Sequence, residues 1–211
     1  MINFTKVHKS LYILQEMLEK RSEQGDKWKD AHMRLKEKAS DVVLEGPTLH
    51  FDLGWLHIIF DLERNWDISD LNKSKRSYLQ NIGKEVEHFI FVLTKENTKQ
   101  YIGIPNDLLM FVSEQLEKTG EVFHLNELQY NVTKHVLVDP HHVVHDQDEK
   151  KEILQKFNIQ KFEHLPLILS TDAVVRFIGG KPGDLIRITR YLENAGDQPF
   201  YRYCTSAQFS K

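Results

Sequence analysis

The chain has 211 residues and a net charge of −3, with 28 Lys and Arg against 31 Asp and Glu, so it lacks the basic excess an autonomous nucleic-acid binder uses to displace counterions from phosphates. A single cysteine, Cys204, excludes an internal disulfide and makes a reducing compartment the default. There is no signal-peptide-like N-terminus, and the longest apolar runs, such as Phe89–Leu93, are only strand-sized, so the expectation is a soluble intracellular protein with no membrane partner.

Leu11, Leu14 and Leu18, with Tyr12 and Met17 beside them, predict a helix with one buried stripe. Residues 21–38 are strongly charged, and Arg21, Lys27, Lys29, Arg34, Lys36 and Lys38 supply a basic side that reads as a solvated helix face in preference to a nucleic-acid patch. Gly46-Pro47 breaks the pattern, and His50 to Phe60 then reads as strands. Asp70 to Gly83 is expected to be helical with a basic cluster, Lys73, Lys75 and Arg76. Phe89–Leu93 is a continuous apolar run and predicts a central strand covered on both faces. Pro105 opens a helix bearing Leu108, Leu109, Val112 and Leu116, and Glu121 to Leu125 is a short strand. Helix and strand alternate throughout, which predicts an α/β layered domain over residues 1–131.

The pattern changes near Asn131, where segments shorten and turns become denser. Asp146 and Glu149 make a capping-box-like start for a helix carrying Ile153, Leu154 and Phe157. Leu165-Pro166 ends an extended connection, and Asp172 caps a short helix that stops at Gly179-Gly180. Lys181-Pro182-Gly183-Asp184 is a turn in which Gly183 can take a positive φ. Leu185 to Arg190 alternates as a half-buried strand, Asn194 to Asp197 turns, and Phe200 to Cys204 returns as its partner. Residues 132–211 therefore read as a small mixed domain, and the whole chain as α+β.

Candidate chemistry is sparse. His135, His141, His142 and His145 lie close in sequence but lack the companion ligands and spacing of a zinc site, so structural histidines are expected and no metal or cofactor is. Asp52, Asp61 and Glu63 could suggest a metal-dependent nuclease, but such sites commonly add a lysine two residues after the second carboxylate, where Asn65 stands. Cys204 has no partner signature for nucleophilic catalysis, and Gly179 to Gly183 lacks the spacing of a phosphate loop.

The C-terminal third carries a resemblance. The segment Asn131–His142, with His135, Leu137, Val138 and His142, resembles the entry segment of the fifth subunit shared by eukaryotic RNA polymerases I, II and III, and of its shorter counterpart in archaeal polymerases. Further matches follow in order: Glu149-Lys150-Lys151, Leu165-Pro166, Asp172, Val174, Arg176, Gly179, Lys181, Gly183, Ile188, Arg190, Ala195-Gly196 and Tyr201-Arg202. Departures include Ala173 where the family has proline, and Asp139-Pro140-His141 in place of a Pro-Glu stretch. Such divergence would suit a large DNA virus or a distant eukaryote.

The resemblance implies a non-catalytic polymerase subunit of two parts, present in one copy per complex. Residues 132–211 would be an assembly domain anchored to the largest subunit, with His135, His142, Pro166, Asp172, Arg176, Gly179, Lys181, Gly183, Asp184, Arg190, Tyr201 and Arg202 as interface residues. Residues 1–131 would be a jaw near downstream duplex DNA, touching it non-specifically, with Pro105 and Asn106 DNA-proximal. Its place of work would be the nucleus if cellular, or host cytoplasm and virion if viral. The alternatives are a free-standing scaffold and a degenerate nuclease-like protein.

Overall fold

The computed structural model describes residues 4–40, 42, 46, 48–62, 79, 81–82, 85–94 and 104–206. They form an α+β fold of two units, one of residues 1–19 and 26–130, the other of residues 20–25 and 131–211. Most of the helix expected over residues 70–83, together with Glu63 and Asn65, lies outside the described residues. Among the described residues no helix is long and apolar enough to cross a membrane.

In the first unit, α1 (Phe4–Arg21) buries Val7, Leu11, Leu14, Met17 and Leu18, the stripe its three- and four-residue spacing predicts. The following helix, α2 (Asp26–Ala39), buries only Ala31 and Leu35 and leaves its charges in water, where Arg34 pairs with Asp30 one turn away at 2.9 Å. A four-stranded sheet runs in the order β1 (Thr48–Asp52), β2 (Leu56–Asp61), β3 (His88–Leu93), β4 (Thr119–His124). The first pair is antiparallel, and the β2–β3 and β3–β4 pairs are parallel.

Strand β3 is buried at every position, as its unbroken apolar run requires of a strand between two neighbours with both faces covered. Phe89, Phe91 and Leu93 point to one face, where Ile59, Val122 and the helix α3 (Ile104–Leu116), through Leu108 and Val112, complete a core. On the other face Trp28 of α2 meets Trp55 and His88 edge-on. His88 there is held by Thr119 Oγ1 at 2.6 Å and Glu121 Oε1 at 3.0 Å. Pro105 and Asn106 fall in the first turn of α3, as the sequence predicts for the proline.

The second unit is built on a sheet ordered β5 (His141–Val143), β7 (Leu185–Leu192), β8 (Gly196–Thr205), β6 (Leu167–Leu169). Strands β7 and β8 form a hairpin, β5 lies antiparallel on β7, and β6 lies parallel on β8. Two helices, α4 (Gln147–Lys156) and α5 (Ala173–Phe177), complete the unit. Leu185 and Ile186 are adjacent yet both buried, because each faces a different core. Ile186 joins Val175, Ile178, Ile188 and Cys204, while Leu185 joins Val144, Ile153 and Leu165. Strand β7 is thus covered on both faces at its start, and is half-buried, as its alternation suggests, only further along.

Candidate functional site

Short polar turns in the second unit are fixed by side chains that bond their own backbone. Asp146 caps α4 by accepting from Asp148 N at 2.9 Å. The capping box expected with Glu149 is not made: Glu149 Oε1 instead accepts from Arg187 Nη1 at 2.8 Å. Asp172 Oδ1 accepts from Val174 N at 2.9 Å and Val175 N at 3.2 Å, which caps α5 without the family's proline. Gly183 takes φ +96°, as expected, with its N–H bonded to Cys204 O, and Asp184 Oδ2 accepts from Lys181 N at 2.7 Å.

Several of the residues that carry the resemblance therefore have internal work. Tyr201 packs edge-on against Phe157 with ring centres 6.0 Å apart, and burial followed by the nearby Glu149 carboxylate pushes its phenol pKa up. Arg202 Nη1 donates to Leu167 O at 3.0 Å. The Asp172 N–H reaches Leu169 O at 3.0 Å, so two outward carbonyls of the edge strand β6 are occupied. Pro166 O accepts from Tyr203 N, and the Pro166 ring is exposed. Arg190 Nε meets Asp139 Oδ2 at 3.0 Å, a partner 51 residues away.

The entry segment leaves more in water. A tight turn at Val132–Lys134, capped by Asn131, lies against α5. His135 accepts from Leu137 N at 3.2 Å and is exposed, and Val136 and Leu137 beside it are 92% and 85% exposed. Leu167 and Leu169 on β6 are each 46% exposed as well. Lys181 is also exposed, and Arg176 is half-buried.

The sequence reading missed the segment of residues 20–25. Arg21, expected on a solvated face, is 0% exposed. Its Nε donates to Phe177 O at 3.2 Å and its Nη2 to Arg176 O at 2.6 Å, while Gln24 Nε2 donates to Ile178 O. Glu23 faces Lys20 Nζ at 2.7 Å and His142 Nδ1 at 3.3 Å. Burial raises the Glu23 pKa, but the Lys20 ammonium and His142 outweigh it and leave the carboxyl below its usual range. A cleft of about 170 Å³ remains there, lined by Lys20, Glu23, His141, His142, His145 and Arg187. No periodicity marks an arginine that bonds a carbonyl 155 residues away, so no signal in the sequence could have found it.

Among the described residues no three of His, Cys, Asp and Glu are grouped to hold a metal ion. Asp52 pairs with His57 and Asp61 with Thr48, at opposite ends of the β1–β2 ladder and so roughly 14 Å apart at ~3.4 Å per residue. Cys204 is buried, and burial pushes its thiol up to about 11, which removes the thiolate a nucleophile needs.

Comparison with known proteins gives a consistent result over the same stretch. Residues 130–204 match the family model of RNA polymerase Rpb5, C-terminal domain. The DNA-directed RNA polymerase subunit Rpo5 of Methanococcoides burtonii is 35% identical over 75 residues, which cover 36% of this chain and 94% of that protein. Rpo5 of Pyrococcus horikoshii is 42% identical over 74 residues, 35% of this chain and 88% of that protein. From Dictyostelium discoideum, the DNA-directed RNA polymerases I, II, and III subunit rpabc1 is 36% identical over 92 residues, 44% of this chain and 46% of that protein.

Proposed function

The chain belongs to the RNA polymerase Rpb5 family, an accessory and not a catalytic subunit of DNA-directed RNA polymerase, and on that premise we propose that it anchors to the largest subunit through its second unit and forms part of the jaw near downstream DNA with its first. One observation carries the anchoring reading: the family match over residues 130–204 falls on a single compact unit whose matching segments expose Val136, Leu137, Leu167 and Leu169. A unit of ~80 residues buries only a modest part of its surface, so a partner that covers those side chains stabilises it by mass action. Of the twelve interface residues the resemblance implies, His135, Pro166, Lys181 and Arg190 offer exposed side chains to a partner, and Asp172 is exposed as well. Asp172, Gly179, Gly183, Asp184 and Arg202 support the reading differently, by fixing the turns and the edge strand that carry the exposed groups.

The jaw role rests on the resemblance. A polymerase has to pass over every sequence, so the contact would be with phosphates and not with base edges. With a net charge of −3 the isolated chain should bind duplex DNA in the range of non-specific contacts, ~10⁻⁴ to 10⁻⁶ M, and more weakly as salt rises. The place of action is that of the polymerase: the nucleus if cellular, host cytoplasm and virion if viral.

The test is co-purification of the tagged full chain with the largest polymerase subunit, alongside the double variant Val136→Asp, Leu137→Asp. Both side chains are in water, so the variant should melt within a degree or two of the parent yet lose ~10-fold or more in recovered complex. Equal recovery of parent and variant would move the interface off this loop. Recovery of neither would remove the anchoring reading altogether.

A further inference from the structure

The last carbonyls of a helix have no partner within it. In α5 a Schellman arrangement takes up two of them: Gly180 N donates to Val175 O at 2.9 Å and Gly179 N to Arg176 O at 3.1 Å, with Gly179 at φ +75°. The carbonyls of Phe177 and Ile178 lie beyond that pair, and these are the two that Arg21 Nε and Gln24 Nε2 reach. The Nη2 of Arg21 adds a bond to Arg176 O, so the flat edge of one guanidinium spans two consecutive carbonyls. Gly179 leaves the room: a Cβ there would stand 3.0 Å from Arg21 Nε and 3.4 Å from its Cζ.

We propose that the C-terminal end of α5 is a binding site for a guanidinium group, filled in this chain by Arg21, and that seating this side chain makes residues 20–25 part of the second unit. Geometry selects the ligand class. The acceptors are carbonyl oxygens set side by side, which a rigid planar fork meets with two N–H groups at once, whereas an ammonium is a compact, strongly hydrated point charge that costs more to dehydrate. The Gln24 amide, a neutral planar donor, extends the same row by one carbonyl. This seat belongs to the chain's own fold and stands apart from the polymerase reading.

Hydrogen exchange on the full chain tests it, read at the amides of Ile178, Gly179 and Gly180. Arg21→Ala should lose about 10- to 100-fold of protection there, the cost of hydrogen bonds from a charged donor. Methylguanidinium chloride at ~10 mM should restore part of that protection, and methylammonium chloride at equal concentration should not. Arg21→Lys should fall between the parent and Arg21→Ala. If Arg21→Ala unfolds the unit, the lysine variant and the recovery of folded signal with methylguanidinium carry the test. Unchanged protection in Arg21→Ala, equal rescue by both cations, or a lysine variant as protected as the parent would each overturn the proposal.

Discussion

Arg190 and Asp139 are joined by an ion pair of 3.0 Å, and the same guanidinium lies over Phe200 with its Cζ 5.1 Å from the ring centre. The side chain at the end of β7 is thus held by its own unit on two sides. Both members of the pair remain substantially exposed, 45% and 40%, so solvent screens the attraction.

The pair should therefore be worth ~0.2–1 kcal/mol in a double-mutant cycle of Arg190→Ala and Asp139→Ala, read from urea midpoints of the full chain. A coupling above ~2 kcal/mol would mean that the pair is shielded from water. Recovery of polymerase with Arg190→Ala separates the roles: near-parent recovery assigns the residue to its own unit, and a large loss with little change in stability assigns it to a partner.

Two glycines separate backbone strain from steric collision. Gly183 has positive φ and open space around the position of a Cβ, so Gly183→Val should cost the strain alone, ~1–2 kcal/mol. Gly179→Ala adds a Cβ 3.0 Å from Arg21 Nε to a similar strain. It should cost more than Gly183→Val in the parent, and the excess should vanish in an Arg21→Ala background. Urea midpoints of the four variants measure this, and an excess that persists without Arg21 would place the collision elsewhere.

Much of this architecture is legible in the sequence. The stripe of α1, the buried run of β3, the caps at Asp146 and Asp172 and the positive φ of Gly183 all follow from rules that act within a few residues. What escapes is set by residues far apart in the chain. Glu149 has the position of a capping-box residue, yet Arg187 on β7 claims it; Arg21 looks like one more cation on a charged helix, yet two carbonyls and a missing Cβ take it in. The exposure of Val136 and Leu137 is equally illegible, since an apolar pair in a sequence ordinarily signals core.

Acid should loosen the segment of residues 20–25. The Glu23 carboxyl titrates lower in the folded chain than its ordinary value of 4.5, so the folded state favours its charged form. That stability is complete above the unfolded pKa and is lost as pH falls below 4.5 through the lower folded value. Exchange at residues 20–25 should accelerate over that window, and Glu23→Gln should flatten the response. A Glu23→Gln profile identical to the parent would show that another group is responsible.

His57 makes the opposite kind of site. It is 5% exposed on β2, and among the described residues neither ring nitrogen has a hydrogen-bond partner. Burial depresses its pKa from 6.5 to about 4, so the folded chain holds it neutral. Stability from this group is full above 6.5 and declines as pH falls toward 4, by up to ~3 kcal/mol. His57→Leu removes two unsatisfied polar atoms at similar volume and should leave stability at pH 7 unchanged or higher, while shrinking the loss between pH 6.5 and 4. Thermal melts across that range decide, and a destabilised leucine variant with an undiminished pH slope would show that His57 is not the group responsible.

The bond from Arg21 to Phe177 spans 156 residues of sequence. At ~5–20 residues per second, a ribosome adds Arg21 about 8–30 s before it has made the carbonyl that Arg21 binds. The contact therefore waits on synthesis of the second unit as far as Phe177, and closing so long a loop adds an entropic cost that the hydrogen bonds have to offset. A nascent chain that stops anywhere before Phe177 keeps Arg21 in water, and cleavage by a trypsin-like protease after that residue becomes a marker of incomplete synthesis.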